Sequence, residues 1–359
     1  EFMFETIIDA INTFLYSKLL IVILIGSGIY FTIRTRFPQV RLFRKACNAV
    51  MEKPEGKESV SSFQALMVST ASRVGTGNIV GVSSAICIGG VGSVFWMWII
   101  AILGSASALA ESTLAQIYKK KGEDGKCYGG PAYYIEAALH SRGLAVVFCI
   151  AMILTYAFGF NMLASYNLQS TFAGQPFYNA DITPWIIGGI LALVMGWCLL
   201  GGGNRIVKVT STLVPFMGIA YILVSLLIVI LNIGQLPSVM AQIFKEAFDF
   251  KAIFAGFAGS AMMQGIRRGL YSNEAGIGSA PNAAASAVVS HPVKQGLVQI
   301  LSVFIDTLLL CTATAMMCLV SGVIPAKELQ GAPWVQAALH KGLETAGVAG
   351  SIAVAILLV

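Results

Sequence analysis

Eight stretches of this 359-residue sequence are apolar over about the length that crosses a membrane, and this feature limits the fold most. A hydrocarbon core of about 30 Å takes about 20 apolar residues to cross as a helix. Backbone amides find no water there, so only helices and closed barrels span it. With 57% hydrophobic and only 11% charged residues, the chain reads as an all-α integral membrane protein. The predicted spans are 16–34, 64–90, 93–117, 144–166, 184–200, 212–232, 251–285 and 295–321.

Basic residues alternate between the loops that join these spans. Segments 34–62, 118–142 and 201–210 carry Lys and Arg, whereas the first 17 residues and the loop 167–183 carry none. Cytoplasmic loops are enriched in Lys and Arg. We therefore predict a multi-pass plasma-membrane protein in the lipid bilayer, with its N-terminus extracellular.

The remaining composition excludes several classes of function. Seven scattered cysteines form no CxxC pair, and the three histidines lie far apart, so neither a disulfide framework nor a metal centre is indicated. No HExxH or GxSxG motif is present, which argues against an enzyme. The basic residues are too dispersed for a nucleic-acid partner. We expect no organic cofactor.

Two predicted spans contain weak helix formers. The first, 64–90, contains SRVGTGNIVG, and the second, 251–285, contains several glycines, two arginines and a glutamate. Four uninterrupted spans separate them, and they run in opposite predicted directions. This pattern is typical of a five-plus-five inverted-repeat transporter with two discontinuous helices.

The predicted organisation has three parts. Residues 1–59 form an extra N-terminal helix and a basic cytoplasmic segment, 60–232 the first five-helix repeat, and 250–359 an incomplete second repeat. The last apolar piece, 347–359, is too short to cross a bilayer. We expect this chain to be truncated within that repeat.

Glycines in the first interrupted span have two possible meanings. Small residues in membrane helices often serve close helix packing. A real break instead exposes amides, which attract anions, and carbonyls, which attract cations. The paired interruption in the second span favours a binding site. A potassium-filter interpretation of VGTGN is set aside, because that filter needs a short re-entrant loop and fourfold assembly.

Three motifs together resemble one known family. They are SRVGTGNIVGVSSAICIGGVGSVFWMW (72–98), GGPAYYIE (129–136) and RGLYSNEAGIGSAPNAAA (268–285). They resemble the alanine or glycine:cation symporters of the amino acid-polyamine-organocation carrier superfamily, over nearly the whole chain. The resemblance implies a sodium-coupled importer of alanine and glycine, with sodium as the coupling ion.

The first broken helix is also similar to that of bacterial neurotransmitter:sodium symporters, which carry VGxGN there. That likeness implies that Thr76 and Gly77 offer amides to the substrate carboxylate. It implies that the Asn78 side chain lies near a sodium ion. The carbonyls of Ala71 and Val74 match half of another sodium site.

Counting inward from 251 predicts the midplane of the second broken helix. It falls at 260–264, so Gly259 and Gly265 are the predicted break. Ser260, Met263 and Gln264 are then candidate substrate-binding residues together with Gly259. Gln264 is equally consistent with a helix–helix hydrogen bond.

Ionisable residues at membrane depth need partners, because each costs roughly 2.5–3.5 kcal/mol against lipid. Arg73 and Glu111 have matching depths, and we predict a structural salt bridge between them. Arg267, Arg268 and Glu274, predicted nearer the cytoplasm, are assigned with them to a gate or interface network. Asp306, near the midplane, is either a sodium ligand or a buried carboxylate hydrogen-bonded to neighbours such as Thr307.

The helix at 144–166 brings Tyr156, Phe160 and Asn161 to the midplane. Phe160 and Asn161 are candidate substrate-binding residues, Asn161 because an unpaired amide in hydrocarbon is costly. Aromatic residues of this helix and Met263 would leave room for a hydrogen or methyl group on the substrate α-carbon. The predicted function is sodium-coupled symport of alanine and glycine by alternating access, and a passive channel or uniporter for small polar solutes is the alternative.

Overall fold

The structure, a computed structural model, describes residues 6–7, 11–15, 19–52, 60–123, 127–172, 178–249 and 260–344. These residues are nearly all helical, apart from a small antiparallel hairpin of β1 (Lys120–Lys121) and β2 (Cys127–Tyr128). In chain order the helices are α1 (Leu20–Arg34), α2 (Pro38–Arg41), α3 (Phe43–Met51), α4 (Ser62–Arg73), α5 (Val82–Gly89), α6 (Ser93–Ile117), α7 (Pro131–Leu139), α8 (Arg142–Ile153), α9 (Asn161–Ser170), α10 (Thr183–Leu200), α11 (Gly202–Leu231), α12 (Leu236–Ala247), α13 (Ala261–Asn273), α14 (Ala280–Ser286), α15 (Pro292–Val303), α16 (Thr312–Val320) and α17 (Ala332–Glu344).

Five helical stretches in the described residues are long and apolar enough to cross a membrane. They confirm the predicted spans 93–117, 144–166, 184–200, 212–232 and 295–321. Their observed bounds are Ser93–Ile117, Arg142–Ser170, Thr183–Leu200, Gly202–Leu231 and Pro292–Val320.

The other predicted spans behave differently. The span 16–34 appears as the 15-residue helix α1. The span 64–90 is divided between α4 and α5, as its glycines predict. Of 251–285, only the part from 260 onward lies in the described residues. The terminal piece 347–359 lies outside them.

Among the described residues from Leu20 onward, three π-helical segments interrupt the α-helices. One, Gly77–Gly81, leads into α5; Leu154–Phe160 joins α8 to α9; and Phe304–Cys311 joins α15 to α16. Such segments are rare and occur frequently at functional sites. Each of the three carries residues of the candidate site described below.

Helix α6 lies at the centre of the described structure and packs against α1, α13 and α15. The contact with α13 needs glycine at one point. A Cβ on Gly265 would lie within 2.3 Å of the Ser93 carbonyl oxygen and 2.7 Å of the Trp96 Cβ. Gly265 therefore serves close helix packing, as small residues commonly do in membranes.

Burial divides the long helices into two groups. The stretch α15–α16 and helix α6 are mostly buried, whereas α8–α9, α10 and α11 are mostly exposed. The exposed group presents large apolar side chains such as Trp185, Leu193 and Leu200. An apolar outer surface of this kind is typical of a helix that faces lipid.

Candidate functional site

The first helix break lies between α4 and α5. A capping box starts α4, in which Ser61 Oγ accepts from the Gln64 amide at 3.1 Å and Gln64 Oε1 accepts from the Ser61 amide at 2.9 Å. The helix ends at Arg73, and Val74 is extended (φ −72°, ψ 112°). Helical structure resumes near Gly77.

The Asn78 side chain forms a hydrogen bond with a backbone group at the break. Its Oδ1 accepts from the Gly75 amide at 3.0 Å, and the Asn78 amide donates to the Gly75 carbonyl at 3.2 Å. Thr76 and Gly77 stand in the first turn of the second half, where amides have no partner within a helix. The carbonyls at the end of α4, including that of Ala71, lack helical partners for the same reason. This break therefore offers both amides and carbonyls.

The second break is not where the sequence count placed it. Helix α13 is continuous over Ala261–Asn273, so the predicted break at Gly265 is wrong, and Gly259 lies outside the described residues. The chain breaks at Glu274, which has left-handed φ (50°), and helix resumes only at α14.

Gly276 and Gly278 occupy this second break with φ of +86° and +89°. Such angles suit glycine, since other residues pay a steric cost there. Glu111 on α6 accepts from the Gly276 amide at 3.2 Å and from the Gly278 amide at 3.1 Å. A buried protein carboxylate thus occupies the amides of the second break.

The two breaks meet directly at Gly77 and Ser272. A Cβ on Gly77 would lie only 2.9 Å from the Ser272 Cα, so only glycine permits this approach. Beside this contact, the Thr76 Oγ1 and the Tyr271 hydroxyl lie 3.3 Å apart. The end of α13 therefore limits the space available at the first break.

Asp306 joins both breaks to the π segment between α15 and α16. Its carboxylate is fully buried and accepts from Asn78 Nδ2 (2.8 Å), Ser272 Oγ (2.9 Å) and Thr307 Oγ1 (2.8 Å). Asn78 Nδ2 also lies 3.3 Å from the Cys311 sulfur. None of these partners is a cation, so within the described residues the negative charge of Asp306 is held by neutral donors only.

Glu274 is a second buried acidic group at the breaks. Its Oε2 accepts from Ser72 Oγ at 3.0 Å, Tyr156 OH at 3.0 Å and Ser279 Oγ at 2.7 Å. These donors come from α4, from the segment joining α8 to α9, and from the second break itself. Glu274 therefore lies at the breaks rather than in a separate cytoplasmic layer.

Arg73 lies buried among these carboxylates without touching them. The predicted ion pair with Glu111 is not formed; Arg73 Nη1 donates to Gln299 Oε1 at 3.0 Å instead. Its Nε and Nη2 find no hydrogen-bond partner in the described part of the chain. Glu111, Glu274 and Asp306 act on it electrostatically. Arg73 thus supplies one positive charge near three carboxyl groups without an ion pair to any of them.

Aromatic side chains close one side of the first break. The rings of Tyr156 and Phe160 are 5.0 Å apart, and those of Phe160 and Tyr271 are 5.8 Å apart. Asn161 is not part of this group. It is exposed, and its Nδ2 donates to the Ala157 carbonyl of its own helix at 3.0 Å.

The remaining predicted residues lie at the start of α13, away from the breaks. Ser260 caps that helix, accepting from the Met263 amide at 3.3 Å, and Met263 packs in an apolar cluster with Ile100. Gln264 lies against the C-terminal end of α5, where its Cβ would meet a Cβ on Gly89 at 2.7 Å. The structure does not bring these residues to Thr76. Their role in substrate binding stays a prediction.

A cavity of about 300 Å³ opens beside the first break. Its lining residues come from the N-terminal segment, the two broken helices and α9: Asn12, Thr76, Val80, Gly81, Leu163, Asn167, Arg268 and Tyr271. Arg267 and Arg268 precede the second break on α13, so they lie on the side of the breaks where that helix begins.

Sequence reasoning missed Tyr271 and Ser272 as site residues. The available signal was the segment YSNEAGIGS, in which two closely spaced glycines follow a polar run. Such glycines mark backbone that needs positive φ. Counting residues from an assumed helix start at 251 to the membrane midplane placed the break at Gly259 and Gly265 instead.

Two discontinuous helices that meet at their breaks, in a chain with several membrane-length helices, define a secondary transporter. The chain belongs to the sodium:alanine symporter family, whose model matches residues 1–359. Among similar proteins, the probable sodium/glutamine symporter GlnT of Bacillus subtilis is 46% identical over 357 residues, 99% of this chain and 73% of GlnT.

Two further relatives are similar over most of this chain. The putative sodium/proton-dependent alanine carrier protein YrbD of Bacillus subtilis is 47% identical over 325 residues, 90% of this chain and 66% of YrbD. The sodium/alanine symporter AgcS of Methanococcus maripaludis is 37% identical over 322 residues, 89% of this chain and 71% of AgcS. The chain thus spans about two thirds to three quarters of the length of these relatives. Their names agree on transport and differ on the amino acid.

Proposed function

We propose that this protein is a sodium-coupled symporter that imports small neutral amino acids, alanine and glycine, across the plasma membrane. The observation that carries the proposal is the meeting of the two helix breaks at Gly77 and Ser272, with Asp306 joined to both. Ions and substrate bound between two broken helices bias which side of the membrane the site faces.

The substrate carboxylate binds the amide end of the first break. Thr76 and Gly77 supply the amides, because a helix N-terminus favours an anion. The amides of the second break do not compete for it, since Glu111 occupies them. The carbonyl end of α13 accepts from the substrate amino group. Phe160 and Tyr271 limit the side chain to a hydrogen or a methyl group.

Sodium binds at Asp306 and Asn78. Asn78 Oδ1 accepts one hydrogen bond from Gly75, and an amide oxygen has a second lone pair for a cation. A sodium ion at Asp306 would neutralise the buried carboxylate, which has only neutral donors now. Because Asn78 Nδ2 faces Asp306, the Asn78 amide would have to turn its Oδ1 toward that ion. The carbonyls of Ala71 and Val74 at the end of α4 are the ligands of a second sodium.

Transport proceeds by alternating access with the N-terminus outside, as the loop charges predict. Coupling requires that sodium and substrate prefer one facing state over the other. Asn78 supplies a physical link, because the same side chain contacts the first break and Asp306. A passive channel or uniporter is the alternative function, and membership of the symporter family favours symport.

The test is alanine uptake into proteoliposomes with sodium outside and potassium inside. We expect saturable accumulation above the outside concentration, lost when sodium is replaced by potassium or when an ionophore collapses the gradient. Equal uptake in the two salts would show a uniporter or channel. Uptake of glutamine in preference to alanine would assign the substrate class named for GlnT instead.

A further inference from the structure

The cavity beside the first break carries a positive charge from Arg268. Arg268 is the one charged residue among the described residues that line it. It is partly exposed and makes no hydrogen bond or ion pair within the described chain. Asn167 on α9 lines the same space, and its Nδ2 donates to the Leu163 carbonyl of its own helix at 2.9 Å. The cavity is therefore suited to an anion.

The cavity also leads to the proposed substrate site. Arg268 and Tyr271 are three residues apart on α13, so they lie on one face of that helix, about 4.5 Å apart along its axis. The Tyr271 hydroxyl lies 3.3 Å from Thr76 Oγ1 at the first break. Arg268 and Thr76 line the same cavity, so an anion held by Arg268 lies in the space that borders the first break.

We propose that this cavity is a reception subsite that binds the α-carboxylate of the amino acid before it reaches the breaks. A guanidinium fork matches a carboxylate with two parallel hydrogen bonds. Its volume, about 300 Å³, is within the range that holds small ligands. The carboxylate then moves from Arg268 to the amides of the first break, where the rings of Phe160 and Tyr271 limit the size of the substrate side chain. The inference rests on the proposed function.

The proposed subsite recognises the α-carboxylate of the amino acid and does not discriminate between side chains. This role differs from the gate role predicted for Arg267 and Arg268, and Arg267 does not line this cavity. An inorganic anion offers the same charge, so chloride is the competing occupant. The test separates the two by comparing ligands with and without a carboxylate in chloride-free buffer.

The experiment compares Arg268→Gln and Arg268→Lys with wild type and with Arg142→Gln, which removes a charge from the exposed start of α8. We expect Arg268→Gln to raise the KM for alanine uptake about tenfold, the loss typical of a charged hydrogen bond, with kcat within about twofold. Arg268→Lys should recover part of the loss, and Arg142→Gln should match wild type. Equal KM values for Arg268→Gln and Arg142→Gln, or a fall in kcat alone, would overturn the proposal.

Calorimetry on the detergent-solubilised full chain gives a readout independent of transport. Acetate and alanine should bind wild type more tightly than Arg268→Gln in a chloride-free and carboxylate-free HEPES–N-methylglucamine buffer, whereas alaninamide should not distinguish them. If chloride displaces acetate from wild type but not from Arg268→Gln, chloride and acetate share the anion site at Arg268. If wild type fails to transport but this acetate difference is present, the proposed function fails and the carboxylate subsite stands. If acetate binds both proteins equally, the subsite is refuted.

Discussion

Replacing Gly77 with alanine should separate the two broken helices at their point of contact. The new Cβ would lie 2.9 Å from the Ser272 Cα, whereas ordinary contacts begin at 3.4 Å, so the backbones must part by at least 0.5 Å (3.4 minus 2.9). The obstacle is backbone, which cannot rotate away as a side chain does. Overpacking of this kind costs about 1–3 kcal/mol.

That movement also reaches the proposed sodium site. The Ser272 Oγ to Asp306 Oδ2 distance, 2.9 Å, would lengthen to about 3.4 Å, beyond the normal range of an O–H···O hydrogen bond. If the full cost falls on the state that binds alanine and sodium, alanine affinity drops roughly five- to 150-fold. Calorimetric titration of alanine in saturating sodium measures it.

Gly75→Ala is the matched control for this prediction. A Cβ on Gly75 would meet no atom within 4 Å, and its φ is not positive. Its thermal midpoint in detergent should therefore equal that of wild type, whereas the midpoint of Gly77→Ala should fall. A Gly77→Ala protein with wild-type alanine affinity and midpoint would refute the argument that the breaks depend on this contact.

Three other outcomes are expected. Asp306→Asn keeps the side-chain size and removes the charge, so the sodium concentration for half-maximal alanine binding should rise at least about tenfold; an unchanged sodium titration would exclude Asp306 as a ligand. Glu111→Gln leaves the Gly276 and Gly278 amides with a poorer acceptor. The loss of a charged hydrogen bond, about 1.5–3 kcal/mol, should lower the thermal midpoint. Replacement of the exposed Glu136 by Gln should leave the midpoint unchanged. In uptake assays glycine should compete well with alanine, and leucine about five- to 150-fold less well, because a larger side chain must repack the aromatic wall; equal competition by leucine would contradict the small-pocket prediction.

The first break was predictable because its signals are local. Gly75, Gly77 and Asn78 fall together inside an apolar run, and a membrane helix that contains such a group must pair its backbone elsewhere. The long spans were predictable for a similar reason, since apolar length alone decides them. Their bounds in the structure agree with the predicted ones to within a few residues in most cases.

The second break was not predictable by counting depth. Gly265 is a packing residue for α6, and nothing in its immediate neighbourhood distinguishes this use from a break. The true break depends on Glu111, which is 165 residues before Gly276 and accepts its amide. Asn161 bonds to a carbonyl of its own helix, a partner that a general desolvation cost does not identify, and its role in substrate binding stays a prediction.

Cys311 gives this site a chemical reporter. Its thiol is buried 3.2 Å from Ser272 Oγ and 3.3 Å from Asn78 Nδ2, whereas Cys47 and Cys149 are exposed. Once exposed thiols have been blocked, the alkylation rate of Cys311 measures how often the broken helices move apart. Ligands that hold them together should slow that rate, so conformational exchange can be timed without any transport assay.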